Sequence, residues 1–454
     1  MLTTQLTNIL NNTLKNPIYK TIQLISMTTI LKKNNFVKKQ EGVSLHLVVL
    51  HFVYMLVMNK KISTFMKQSD DAFAKDVYYR LLKNTSYNWR GLLSQSVVKL
   101  ISMLHVVQDA KAIKVFILDD TVEEKTGNKI EGGHTTLWSN KLKKFVSGIN
   151  VVSLNYSDGF SNFMLDFAIS ISTKYSSVAI EDFTNEVSYK SHAGKRRVEA
   201  IKGKSQIAID MIKRALRSGI YADYLLVDSW YSKPIFLKTI QDLGLAVISR
   251  MANSNSIWNF MEKEKTLDAI YKKHKGVRNS KMGNYGKIKF TYLSAVVTHK
   301  KAGRVKIVFI KTQSKLIPIV STNIELNDDE IIEIYKRRWD IEQGYKELRS
   351  HFGFGQEENR IYEALIARIT LSFFTYNVVS YINRISNEPK TIGGLFADLE
   401  CELSTLAIAM KYFIQILEEL AKVEDIVNRN EDLVNIITIL RDVTGKMLGF
   451  RCES

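Results

Sequence analysis

The chain has 454 residues and carries 64 lysines and arginines against 46 aspartates and glutamates, a formal net charge of +18. This balance favours an anionic partner such as a nucleic acid, and the length allows about two to four domains. Cys401 and Cys452 are the two cysteines, which excludes a disulfide-stabilised secreted scaffold and indicates a reducing compartment such as the cytoplasm.

Residues 1–110 are predicted to form a helical N-terminal region. The stretch 42–59 contains no Asp, Glu, Lys or Arg and reaches the lower length limit for a membrane span. Because His46 and His51 interrupt it, we predict a buried helix and no membrane partner. Aromatic and basic side chains alternate between residues 78 and 90. That pattern favours either a DNA-contacting surface or a helical cap packed on the core, and both remain open.

From residue 113 the chain changes to strand patterns, with apolar runs at 114–118, 146–155 and 160–172. The first run leads into Asp119 and Asp120, and a later run leads into Asp228. Acids that directly follow buried strands lie at the sheet edge. We predict Asp120 and Asp228 as functional acids. Because neighbouring strand residues point to opposite faces, Asp119 is predicted to be a structural or supporting residue.

The segment 190–217 is strongly basic and is predicted to be helical. Its cations Lys195, Arg196 and Arg197 are candidates for a DNA-facing surface, although solvated charge also explains such a run. A helix at 234–243 and a strand at 245–250 follow. Strand-like runs then predict a β-rich segment, at residues 287–297, 304–311 and 316–321.

A further helix is predicted from about Asn327, where Asn-Asp-Asp-Glu supplies an N-terminal cap. Its period places five side chains within about an 80° arc. These are Tyr335, Arg338, Glu342, Lys346 and Arg349. A glutamate among cations at such spacing is usually a solvated face with weak ion pairs. Together with the two strand-end acids, it indicates a site that binds a phosphate with a metal ion.

Asp120, Asp228 and Glu342 are therefore predicted to converge as catalytic, metal-binding acids. Carboxylate oxygens suit Mg²⁺ or Mn²⁺. Two such ions about 3.5–4 Å apart can activate the attacking oxygen and stabilise the leaving oxygen when a phosphodiester bond is broken. The sequence thus predicts two Mg²⁺ or Mn²⁺ ions and a nucleic-acid substrate.

The order Asp, Asp, Glu, combined with Tyr335-x2-Arg338-x3-Glu342-x6-cation, resembles the bacterial DDE insertion-sequence transposases of the YREK (insertion-sequence-4) family over residues 117–349. The resemblance implies an α/β fold with an RNase H-like catalytic core, in which a mixed sheet is flanked by helices. It also implies a metal-bound Asp-Asp-Glu triad, a homodimer on double-stranded DNA, and phosphate binding by Tyr335, Arg338 and the cation seven residues after Glu342.

Position 349 departs from the signature, because Arg349 stands where the family has Lys. Arginine keeps the charge but replaces a compact ammonium with a planar guanidinium. Lys346, one turn earlier, is predicted to share its role. Trp258 is a candidate for stacking on a displaced base near the cut, with a packing role as the alternative.

The predicted division of the chain has five parts. They are an N-terminal helical, DNA-end-binding region (1–110), the first part of the core (111–250), a β-rich insertion (251–325), the second part of the core (326–385) and a C-terminal helical region that is a candidate for dimerisation (386–454).

The resemblance implies a DNA transposase that cleaves transposon ends and joins the freed 3′ hydroxyl to target DNA. Its partners would be terminal inverted repeats and target DNA, in the nucleoid of a bacterial cytoplasm. The alternative is a catalytically inactive relative that binds element ends or inhibits transposition. Because three carboxylates oppose binding to a polyanion unless metal neutralises them, the acids favour the enzyme.

Overall fold

The computed structural model describes residues 16–37, 43–68, 73–105, 109, 111–127, 129–139, 142–252, 257–275, 280–285, 288–356 and 359–403. Its helices are α1 (Pro17–Leu24), α2 (Met27–Lys33), α3 (Leu45–Val57), α4 (Ile62–Gln68), α5 (Lys75–Lys83), α6 (Trp89–Leu104), α7 (Ile180–Asn185), α8 (His192–Ala200), α9 (Lys204–Arg217), α10 (Pro234–Gln241), α11 (Leu267–Lys275), α12 (Asp328–Lys336), α13 (Trp339–His351) and α14 (Tyr362–Ile385). Residues 392–403 are also helical.

The strands are β1 (Val115–Glu124), β2 (His134–Ser139), β3 (Lys144–Ser157), β4 (Asn162–Ser170), β5 (Tyr224–Val227), β6 (Ala246–Arg250), β7 (Trp258–Phe260), β8 (Lys263–Lys265), β9 (Lys281–Tyr285), β10 (Ile288–His299), β11 (Gly303–Lys311) and β12 (Leu316–Ser321). The sequence analysis missed the short strand β2, which lies between the first two apolar runs.

All of these strands belong to one mixed sheet in the order β2-β3-β1-β5-β6-β12-β11-β10-β7-β8, with β4 on β3 and β9 on β10. Strands β4, β3 and β1 are antiparallel, whereas β1, β5 and β6 are parallel. Helices α9 and α14 pack on the β3 and β4 side of the sheet. A mixed sheet flanked by helices is the RNase H-like α/β architecture predicted from the sequence, and it is confirmed.

Strand β1 extends further than its apolar run predicted. Its pairing with β5 covers only Val115–Leu118, but its pairing with β3 continues to Glu124. Asp119 and Asp120 therefore lie inside β1, at the point where one of its two neighbours ends. The backbone there is held by β3, while the side next to β5 opens towards Asp228.

The N-terminal helices pack on the core. Helices α1, α3, α5 and α6 contact α14, and the side chains of Tyr78 and Trp89 are buried. The buried helix predicted near residues 42–59 is confirmed as α3, whose residues from Val48 to Val57 are buried. These contacts agree with the helical-cap alternative for residues 78–90.

Within the described part of the chain, α14 is the one helix long and apolar enough to cross a membrane by length and composition, and 94% of its apolar window is buried in the protein. Its burial accounts for its composition, because it lies against four N-terminal helices and β4.

The predicted β-rich segment continues the core sheet. Strand β12 pairs with β6, and β11, β10 and β7 follow outwards. Helix α14 falls within residues 326–385. Most of the C-terminal helical region predicted at 386–454 lies outside the described residues.

Candidate active site

The two faces of strand β1 point to different helices. One face of the strand carries Asp119, Thr121 and Glu123, and all three contact arginines of the α12–α13 segment. The Asp120 carboxylate accepts a hydrogen bond of 2.7 Å from Nζ of Lys204, at the start of α9. Because side chains alternate along a strand, only one of the two adjacent acids faces α13, and that acid is Asp119. Asp119, which the sequence analysis predicted to be a structural or supporting residue, therefore lies on the face of β1 that meets α13.

The predicted catalytic helix is divided into α12 and α13. It begins as expected, with the Asn327 side chain and Glu330 forming a reciprocal cap. At the junction the amides of Arg337 and Arg338 bond to carbonyls three residues back, at 3.1 and 3.0 Å. This tighter turn places Arg338 at the N-cap of α13, where its side chain reaches β1.

Arg338 lies between two carboxylates. Its Nη1 is 3.2 Å from Oδ2 of Asp119, and its Nη2 is 2.6 Å from Oε1 of Glu342. The Arg338 and Asp119 side chains are 12% and 15% exposed, whereas Glu342 is 37% exposed. One guanidinium therefore spans the gap between an acid of β1 and the acid of α13.

Asp228 directly follows β5 and stands beside Tyr335. Its Oδ1 accepts a hydrogen bond of 2.9 Å from the backbone amide of Trp230. The Tyr335 hydroxyl donates to the Val227 carbonyl at 3.3 Å. Burial, and then the charge of Asp120, raise the pKa of Asp228. The strand-end acid is thus near both β1 and the helix pair.

Asp119 carries the largest described shift among these acids. Burial raises its pKa to about 7, the charges of Asp120 and Asp228 add to this effect, and Arg338 opposes it. The Tyr345 hydroxyl donates to the Asp119 carbonyl at 3.2 Å and pairs with the Ser153 hydroxyl at 2.6 Å, which fixes the strand against α13. Partly desolvated carboxylates held close together have a repulsion that a divalent cation relieves.

The donor set fits a hard divalent cation, although the side chains are paired with protein cations. Within the described residues, no group of three or more His, Cys, Asp or Glu is arranged to hold a metal ion. Arg338 binds Asp119 and Glu342, and Lys204 binds Asp120. Carboxylate oxygens are the ligands that Mg²⁺ and Mn²⁺ prefer. Metal binding requires the protein cations to move away.

Arg349 contacts β1 in this structure. Its Nε lies 3.0 and 3.2 Å from the two carboxylate oxygens of Glu123, its Nη2 lies 2.6 Å from Oε1, and it also donates to the Thr121 hydroxyl. The sequence analysis predicted a phosphate-binding Arg349, but these donors are directed to the protein. Lys346 is exposed on the same helix.

Two of the predicted DNA-facing cations are buried. Arg197 is 1% exposed, and it donates to Glu363 at 2.8 and 2.9 Å and to Glu131 at 2.6 Å. Arg196 is also buried, whereas Lys195 is exposed. The prediction of a DNA-facing surface is therefore corrected for Arg196 and Arg197. Glu363, the buried acidic partner of Arg197, comes from α14, which lies far away in the sequence.

Trp258 is fully buried, with its ring 5.0 Å from the ring of His299. This position is the packing alternative of the sequence analysis, and stacking on a base is excluded in this arrangement. Sequence reasoning did not single out Lys204, Glu123 or Trp230. The available signal was weak: Trp230 comes two residues after a strand-end acid, and Glu123 continues the alternation of β1.

Comparison with known proteins identifies the family. The family model of the DDE superfamily endonucleases matches residues 69–311, more than half of the chain. The match includes β1 and β5 with their acids and ends before α12. A search of curated proteins finds no match. The matched segment and the mixed sheet show that this chain belongs to the DDE superfamily endonuclease family.

Proposed function

We propose that this protein is a DNA transposase that cleaves the ends of an insertion element and joins the freed 3′ hydroxyl to target DNA. The observation that carries the proposal is the bridge formed by Arg338, which joins an acid of β1 to Glu342 next to Asp228. The family supplies the coarser activity, a DNA endonuclease. The cleavage route, the triad and strand transfer belong to the proposal.

Asp119, Asp228 and Glu342 are the proposed metal-holding acids. The sequence analysis chose Asp120, and that choice stays a prediction. The support for Asp119 is its face of the strand, its contact with Arg338 and its coupling to Asp228. The Asp120 carboxylate is instead paired with Lys204.

The protein residues have distinct proposed tasks. Bound Mg²⁺ or Mn²⁺ would supply an activated oxygen nucleophile and stabilise the leaving oxygen. Asp119 gives up its proton before it can serve as a ligand, because a protonated carboxyl is a poor one. Arg338, once released from Asp119 and Glu342, supplies a planar pair of donors that matches a phosphate. Tyr335 orients its ring beside Asp228 through its bond to the Val227 carbonyl.

The proposed partners are double-stranded DNA of the element ends and the target, bound by a homodimer in the bacterial nucleoid. The net charge of +18 supports an anionic partner. Binding should weaken steeply with salt, with a slope of about −0.9 per contacted phosphate.

Cleavage of DNA that carries the flanks of the gene tests the proposal. We expect Asp228→Asn and Glu342→Gln to abolish cleavage in Mg²⁺ while DNA binding stays equal or becomes tighter, because a negative charge is removed. Asp242→Asn, on an exposed side chain paired with Lys238 at the end of α10, is the matched control and should cleave normally. Wild-type protein that binds these ends but never cuts them would support the inactive relative instead.

A second pair of variants distinguishes the β1 acids. Asp119→Asn should lower cleavage by more than about 100-fold. Asp120→Asn should lower it within the roughly 10–100-fold that is typical when a metal ligand loses a supporting partner. The reverse order of the two effects would assign the triad to Asp120.

A further inference from the structure

Trp230 is an exposed aromatic side chain at a fixed position beside Asp228. It is 40% exposed, although large aromatic side chains are usually well buried. Its backbone amide donates to the Asp228 carboxylate at 2.9 Å, and its ring packs edge-on against the buried Tyr231, with ring centroids 4.7 Å apart. Trp230 therefore lies next to one of the proposed metal-holding acids.

Two lysines lie over the Trp230 ring. Nζ of Lys233 lies 4.6 Å from the ring centroid, and Nζ of Lys204 lies 5.3 Å from it. Lys204 is the first residue of α9, and Lys233 is the N-cap of α10. A cation at a helix N-terminus is electrostatically unfavourable, because the unbonded amides there already carry positive charge. Lys233 thus adds positive charge where an anion would be favourable, whereas the charge of Lys204 is balanced by Asp120 in this structure.

We propose that Trp230, Lys204 and Lys233 form a subsite for an unpaired nucleotide of the DNA strand next to the bond that is cut. The two ammonium groups, which lie over the ring in this structure, move to the neighbouring phosphates, and the base stacks on the indole face that they leave. Without DNA, Lys204 is held by Asp120 at 2.7 Å. This subsite rests on the proposed function, since it places the strand against Asp228.

The chemistry favours an unpaired base over an intact duplex. An aromatic platform flanked by cations is the general arrangement for binding single strands, because every base has a face that can stack. In a duplex that face is already covered by the neighbouring base pairs. The ligand class is therefore a DNA end with an overhang or frayed bases.

Binding is measured in EDTA, so that cleavage does not contribute. Wild-type protein and variants are titrated into a fluorescent duplex with a short single-stranded overhang and into its blunt counterpart. Trp230→Ala should weaken overhang binding about 5- to 150-fold, the equivalent of roughly 1–3 kcal/mol for a stacked base. Trp230→Phe should recover most of the affinity, and blunt-end binding should change little.

Two controls make the result specific. Trp138→Ala removes another exposed tryptophan, 48% exposed on β2, and should leave overhang binding unchanged. Lys233→Met should reduce the salt slope for overhang DNA by about 0.7, the value expected for one lost single-strand phosphate contact.

Equal affinities of Trp230→Ala and wild type for the overhang, or equal losses on overhang and blunt DNA, would overturn the subsite. Failure of the proposed function would look different. In that case Asp228→Asn would cleave like wild type, whatever Trp230 does to binding.

Discussion

Replacing Arg349 by Lys restores the residue of the transposase signature, yet we expect it to damage this protein. The guanidinium makes three contacts of 2.6 to 3.2 Å with the Glu123 carboxylate and a further one with Thr121. Glu123 is 7% exposed, and Arg349 is 34% exposed. A lysine keeps the charge, but its single ammonium cannot bind both carboxylate oxygens and the hydroxyl in this planar arrangement.

The magnitude follows from the hydrogen bonds that are lost. A hydrogen bond to a charged group contributes about 1.5–3 kcal/mol net. Arg349→Lys loses at least one such contact but keeps an ion pair, so we expect the free energy of unfolding to fall by about 1–3 kcal/mol. The Glu123 carboxylate also packs against Gly355, where a Cβ would lie 2.4 Å from Oε2 of Glu123.

The assay combines denaturant unfolding with DNA binding over a range of salt. Arg349→Lys and Glu123→Gln should each lower the unfolding midpoint, and the double variant should lose less than the sum of the two, because the residues interact directly. The salt slope should stay unchanged. Lys346→Ala, on the same helix and exposed, is the control that should leave stability unchanged.

A different result would contradict this expectation for Arg349. Arg349→Lys with wild-type stability, together with an Arg349→Ala slope reduced by about 0.9, would assign Arg349 to a DNA phosphate. It would then act as the resemblance implies, and its contact with Glu123 would be a feature of the DNA-free state.

Three further predictions follow from the same contacts. The pKa of Asp119 is raised to about 7, against 3.8 for a free carboxyl, so Mn²⁺ affinity should rise about tenfold per pH unit below pH 7 and level off above it. Without metal, the stability that Asp119 contributes is fully present below about pH 4 and falls as pH rises through 7. Asp119→Asn should remove both trends, as measured by calorimetry and thermal unfolding. Arg338→Ala should raise the pKa of Asp119 further, weaken binding to element ends and slow joining; unchanged joining kinetics would argue against a phosphate contact. Arg197→Met should destabilise the fold by about 3–5 kcal/mol, because Glu363 is left buried without its cation, whereas Lys195→Met should change only the salt dependence of DNA binding.

The sequence predicted the architecture well because the signals are local. Apolar β-branched runs marked β1, β5 and the strands of the insertion, and the acids that follow them were found at one region of the sheet. The capping residues at Asn327 correctly marked the start of α12. Each of these features depends on a few neighbouring residues.

Features that depend on distant partners cannot be predicted from local patterns. The choice between Asp119 and Asp120 depends on which face of β1 meets α13, and the β1 pattern alone does not give this. The sequence analysis predicted Arg196 and Arg197 to be surface cations, because Glu363, the buried acid that pairs with Arg197, lies on the distant helix α14. The turn between α12 and α13 likewise contains no proline or glycine, so the sequence did not predict a break in the helix there.

The most direct test of the central claim counts the Mn²⁺ ions bound to the protein in complex with element-end DNA, by electron paramagnetic resonance. Wild type and Asp242→Asn should bind about two ions per active site. Asp119→Asn, Asp228→Asn and Glu342→Gln should each bind fewer and should not cleave. Undiminished Mn²⁺ binding in all three variants would contradict the account, because the carboxylates would then not be the groups that hold the metal.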